Sequence, residues 1–151
     1  MSSTSPQPPA LPVTFRPTRT RVVLLSVGAA ILVVLGVIGL ALDLAPGERI
    51  SFIAVGLLCF GVLALLSRPR ATADEDGLTV VNLTRTRRLA WAEIVRVNLR
   101  TGDPWVMLDL SDGTTWAVMG IQPGIGKHRA LEDAAALRTL AERHGSGREE
   151  G

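Results

Sequence analysis

Two long uncharged runs constrain this chain more than any other feature. Val22 to Leu42 reads VVLLSVGAAILVVLGVIGLAL, 21 residues without a charged side chain. At about 1.5 Å per residue such a helix is about 31 Å long, matching a hydrocarbon core of roughly 30 Å. Ile50 to Leu66 adds 17 more uncharged residues, ISFIAVGLLCFGVLALL, about 25 Å of helix and at the short end for a span. The connection DLAPGER holds Pro46-Gly47, a turn signal. The pair predicts a transmembrane helical hairpin with spans at 22–42 and 50–66. A cleaved signal peptide is the rival for the first run. That run is too long for one, and no small-x-small cleavage site precedes a plausible mature start.

Charge supports the membrane reading. The whole chain carries +2 with a pI near 9.5, which alone would suggest a nucleic-acid partner. Residues 1–70, however, hold six arginines against Asp43 and Glu48, whereas residues 71–151 hold ten Lys and Arg against twelve Asp and Glu, a balance of −2. The basicity therefore flanks the apolar runs, and no nucleic-acid partner is expected. Arg16, Arg19 and Arg21 precede the first span and Arg68 and Arg70 follow the second, while the connecting loop has Arg49 beside two acids. The positive-inside rule then puts both termini in the cytoplasm and the short loop outside.

Residues 1–21 read as a disordered Ser- and Pro-rich tail ending in a basic stretch. After the hairpin, residues 67–145 have the texture of a folded domain, with 146–151 a polar tail. LTVVNL at 78–83, TRRLA at 86–90, IVRVNLR at 94–100, WVMLDL at 105–110 and TTWAVM at 114–119 read as strands, with Asp112-Gly113 a hairpin signal. A short lead strand near Ala71 to Asp74 would make six. From His128 to His144, the residues Leu131, Ala134, Leu137, Leu140 and Ala141 form a helical apolar stripe, ended by Gly145. The expected fold is membrane-anchored α+β: a two-helix transmembrane hairpin, then a bent antiparallel sheet or barrel capped by one C-terminal amphipathic helix.

Strands followed by one helix resemble a pleckstrin-homology (PH) domain. The hairpin followed by EDGLTVVNLTRTRRLAWAEIVRV, with its Gly-Leu-Thr-Val strand start, its Asn-Leu before Arg-Thr-Arg-Arg, and Trp91-x-Glu93-Ile94, resembles the actinobacterial PH-like membrane proteins labelled low molecular weight protein antigen 6. The resemblance covers roughly residues 15 to 144. It implies a multi-pass protein of the bacterial inner (plasma) membrane that displays a PH-like domain. Many eukaryotic PH domains that bind phosphoinositides have basic residues in their first hairpin. The matching place here reads as Asp74-Glu75-Asp76-Gly77, which is acidic and argues against that route.

No motif carries chemistry. GIQPGIGKHR at 120–129 lacks the first glycine and the Ser or Thr of a phosphate loop, so it reads as a strand-to-helix connection. Asn82-Leu83-Thr84 matches a glycosylation pattern by chance on a cytoplasmic strand. Cys59 lies in an apolar run, and His128 and His144 fit no metal spacing. No enzyme activity, cofactor or metal is expected. Arg85, Arg87, Arg88 and Trp105 are the candidate contacts for an anionic lipid or a partner. Alternation puts Arg85 and Arg87 on one side and Arg88 on the other, while Trp105 follows Pro104 at a loop. Trp91 reads as a plug at one end of the sheet. The expected function is protein binding or scaffolding, with a protein partner or a second copy. The rivals are an anionic-lipid or membrane-state sensor, and an accessory subunit of a transporter or envelope enzyme. A topology reporter placed after Leu66 is expected to read cytoplasmic and one within 43–49 external. A reversed pair would overturn the orientation.

Overall fold

Pro12 and Pro17 bracket four residues that the sequence places in a disordered tail. The computed structural model, which describes residues 7–124 and 126–146, corrects that expectation. Val13–Phe15 form a strand, β1. It pairs antiparallel with β2, Arg70–Ala73, on the far side of the apolar hairpin, in the register Val13↔Ala73, Thr14↔Thr72 and Phe15↔Ala71. The physical reason lies in the side chains: Phe15 is 4% exposed in the core, and Leu11 and Val13 pack against it. Residues 1–6 and 147–151, at the ends of the two expected tails, lie outside the described residues. The chain divides into two units, Thr18–Arg68 and a second unit drawn from both sides of it.

The first unit is the hairpin. Helix α1 runs Thr18–Ala41 and α2 runs Pro46–Leu66. Pro46 opens α2 instead of forming the expected turn, because an N-terminal helical position needs no N–H. Glu48 Oε2 accepts from the Ala45 N–H at 3.1 Å. Arg49 Nε donates to the Gly39 carbonyl at 3.0 Å, satisfying an acceptor near the end of α1 and placing a cation at its negative pole. A Cβ at Gly28 would stand 3.1 Å from the Phe60 ring, and one at Gly56 3.1 Å from Leu32. The helices therefore approach closely where they lack side chains. Both are long and apolar enough to cross a membrane, and only 11% and 6% of their most apolar windows are buried. A core helix of a soluble protein would be mostly buried.

The second unit has two antiparallel sheets and a helix. One sheet has the order β1-β2-β3-β4, with β3 at Gly77–Val81 and β4 at Thr86–Ala90. The other has the order β5-β6-β7, with β5 at Ile94–Asn98, β6 at Val106–Leu110 and β7 at Thr115–Val118. Helix α3 spans Lys127–Ser146 and so continues through Gly145, beyond its expected end. Leu78, Val80 and Leu89 from the first sheet meet Val106, Leu108 and Val118 from the second, with Leu137 and Leu140 of α3, all fully buried. Each such side chain contributes about 1.5–3 kcal/mol by leaving water. The α3 stripe differs by one residue from expectation: Ala130 is buried and Leu131 is 49% exposed. Positions 130, 134, 137 and 141 keep the helical period, and Leu131 lies one residue, about 100°, off it.

Asn82 ties the sheets together. Its Nδ2 donates to the Ala117 carbonyl at 2.8 Å, and its Oδ1 accepts from the Met119 N–H at 3.1 Å. Both ends of the amide are thereby engaged, and Asn82 is buried. Trp91 is 2% exposed and donates from Nε1 to the Asp74 carbonyl at 2.9 Å, with its ring stacked on His144. It closes one end of the core, as the sequence indicates.

All three tryptophans fall outside the hairpin, so their fluorescence reports on the sheet unit. Phe15→Ala is expected to destabilise that unit by about 3 kcal/mol, read as a lowered thermal midpoint by tryptophan fluorescence in detergent. An unchanged midpoint would mean that β1 adds nothing to the core.

Candidate functional site

The strand register sorts the charged residues by sheet end. Arg70 pairs with Val81, and Val81 with Thr86, so the turn Asn82–Arg85 lies at the end where β2 begins. Phe15 pairs with Ala71 at the same end. The chain leaves for α1 and returns from α2 here. This end carries Arg70 and Arg85. The opposite end of the sheet carries the β2–β3 turn with Asp74, Glu75 and Asp76.

The three arginines of the sequence have three different fates. Arg88 clamps Asp74 through two bonds, Nη1 to Oδ2 at 2.8 Å and Nη2 to Oδ1 at 2.9 Å, and Nη1 also donates to Thr79 Oγ1 at 3.0 Å. The Arg88 guanidinium, aided by the Asp76 and Gly77 amides, holds the Asp74 carboxyl below its ordinary range. Arg88 is thus occupied in closing a turn. Arg87 lies on the other face, its guanidinium 5.2 Å from the centre of the Trp116 ring and 4.0 Å from Glu93. Arg85 stands in the β3–β4 turn, which its carbonyl closes by accepting from the Asn82 N–H at 2.8 Å. Its side chain is exposed, without an acidic partner among the described residues. The structure therefore does not unite the arginines into one site. Arg85 alone remains available.

Trp105 is half-buried, one residue before Val106, whose N–H donates to the Ile121 carbonyl. It makes no hydrogen bond or ring contact among the described residues, and nothing joins it to Arg85. The loop before it is fixed by a bond from the Arg100 N–H to Asp103 Oδ2 at 2.8 Å and by Gly102 at φ +94°.

Two concavities were illegible in the sequence. One, of about 420 Å³, runs between β5 and α3 and is lined by Val95, Arg96, Val97, Arg138 and Glu142 among others. Val95 is 66% exposed; it and Leu131 are the exposed large apolar residues outside the hairpin among the described residues. A register shift between Ile94 and Arg96 bulges β5 at Val95, and Arg138 Nη2 donates to the Val97 carbonyl at 3.1 Å. The second, of about 310 Å³, lies between the β3–β4 turn and β7, where Leu83, Arg85, Trp116 and Met119 meet. Trp116 Nε1 is buried there without an acceptor. No group of three or more metal-ligating side chains occurs among the described residues.

Among the described residues, seven strands in the order 1-2-3-4 and 5-6-7, closed by a C-terminal helix, define a PH-like domain. Residues 68–140, all but the first within the sheet unit, match the family described as Bacterial PH domain. The match supports the family but not the narrower antigen 6 label. Uncharacterized proteins of Mycobacterium bovis and Mycobacterium tuberculosis are 33% identical over 97 residues, covering 64% of this chain and 62% of each relative. The alignment thus spans under two thirds of those relatives. No solved structure matches the chain.

The PH topology also corrects the reading of the first hairpin. With β1 in place, Asp74–Gly77 is the second turn of the domain, not the first. The first connection is the one from β1 to β2, and it contains the apolar hairpin with Arg16, Arg19, Arg21 and Arg68 near its ends, while Arg70 opens β2. The acidic turn therefore gives no argument against an anionic ligand. A single strand of three residues, invisible to periodicity, produced the shift.

Proposed function

We propose that this chain is a non-enzymatic binding module, anchored in the plasma membrane by its hairpin with its PH domain displayed at the cytoplasmic face. The groove between β5 and α3 would receive a segment of a protein partner or of a second copy. Val95 carries this reading, because a solvent-facing valine on an edge strand forgoes about 1.5 kcal/mol of burial that a partner restores. Simple strand addition is disfavoured, since the bulge at Val95 and the Arg138 bond to Val97 blunt the edge. Recognition then rests on side chains, with Val95 as the apolar anchor and Arg96 beside it, and the membrane anchor raises the local concentration of the pair. A photo-crosslinker at position 95, installed in the full chain in cells, is expected to give one discrete adduct that a crosslinker at Thr115 does not. The same crosslinks from both positions, or none, would sink this assignment.

A second reading draws on the register. Arg70 and Arg85 share the sheet end from which the chain leaves for the hairpin, so contact with anionic headgroups is a further role for the same module. Each such arginine is worth about 1 kcal/mol close to an anionic leaflet. Replacing both with glutamine is expected to weaken the preference of the reconstituted chain for phosphatidylglycerol over phosphatidylcholine, most visibly at low salt. An unaltered preference would leave the protein-binding reading alone.

A further inference from the structure

Both crossings between the hairpin and the sheet unit contain an Arg-Pro pair, preceded in the second by Ser67. Arg16-Pro17 stands before α1 and Arg68-Pro69 after α2. The pairing of Phe15 with Ala71 means that the two crossings leave the sheet from adjacent strands. Proline fixes φ near −65° and two residues reach at most about 7 Å, so the crossing at Arg16-Pro17 has little slack.

β1 is also the shortest strand among the described residues, and it lies at a sheet edge. It is three residues long and hydrogen-bonds only to β2, whereas β3 has five residues and a neighbour on each side. Its anchorage is Phe15 in the core, the partly buried Leu11 and Val13, and the cross-strand contact of Thr14 Oγ1 with Thr72 Oγ1 at 3.3 Å. Short edge elements with few buried side chains open most readily. The element two residues before α1 is therefore a short edge strand, the kind that opens most readily.

We propose that β1 is a strap coupling the state of the bilayer to the PH domain. Transmembrane helices adapt to bilayer thickness by tilting. Tilting of α1 pulls or slackens β1, shifting the balance between a docked strand and one that has left β2. Release uncovers the outer edge of β2 and withdraws Phe15 from the core that Leu78 and Leu89 share. The strap rests on the hairpin spanning a bilayer, and it gives the module a way to respond to that bilayer without binding a soluble ligand.

The test uses the full chain in nanodiscs of monounsaturated phosphatidylcholines with short, medium and long acyl chains, read by backbone hydrogen exchange. Exchange in residues 11–15 and 71–73 is expected to change about fivefold or more across the series, while β6 and β7 change less than about twofold. A Gly-Ser-Gly insertion between Arg16 and Pro17 is expected to abolish the dependence, and the same insertion between Thr101 and Gly102 to leave it. Thickness-independent exchange in β1, or a dependence that survives the Arg16-Pro17 insertion, overturns the strap. A chain that fails to enter the nanodiscs overturns the membrane anchorage as well, which separates the two failures.

Discussion

The pairing of β1 with β2 is the constraint on which the rest depends. A strand before the apolar hairpin and a strand after it hydrogen-bond in one sheet, with Phe15 against Ala71 and Val13 against Ala73. Two segments that share backbone hydrogen bonds cannot lie on opposite sides of a bilayer. If the hairpin crosses, it must cross an even number of times, and two spans satisfy this. The arginine asymmetry that predicts an external loop points the same way from an independent source. A PH domain with its first connection expanded into a hairpin is then anchored through its own sheet, not through a linker trailing from one end.

The same register divides charge along the strands. Asp74, Glu75 and Asp76 crowd the end far from the hairpin crossings, and Arg88 is spent there holding Asp74. Arg70 and Arg85 occupy the other end. Asn82 adds rigidity at that end by binding two backbone groups of the opposite sheet, which a buried amide does more cheaply than a charge. The arrangement separates the proposed contacts. Headgroups would meet the β3–β4 turn, whereas a protein segment would meet β5 and α3.

Much of this architecture was readable from residue order. The hairpin announced itself because long uncharged runs have few alternative folds, and β3 to β7 because β-branched alternation and Asp-Gly turns leave a local trace. β1 left none. Its three residues stand between prolines in a Ser- and Pro-rich stretch, and its partner lies 58 residues on, across both helices. The fate of the arginines was equally hidden: Arg88 finds Asp74 only through the β3–β4 register, and Arg87 finds Trp116 across the two sheets. Alternation correctly put Arg87 and Arg88 on opposite faces, but it could not say which was engaged. The groove at Val95 depends on a bulge, and a bulge breaks the very periodicity by which strands are recognised.

The separation of β1 from β2 also bears on how the protein is made. Chains emerge from the N-terminus at roughly 5–20 residues per second, so β1 waits about 3–12 s before its partner strand is even synthesised. During that interval both apolar helices are synthesised. A segment with Phe15 exposed and no sheet to join is held only by its own prolines and by the arginines that follow it. The flanking prolines keep such a segment from extending into a longer sticky strand. Completion of the sheet is thereby made a late event, one that cannot begin before the whole hairpin has been synthesised.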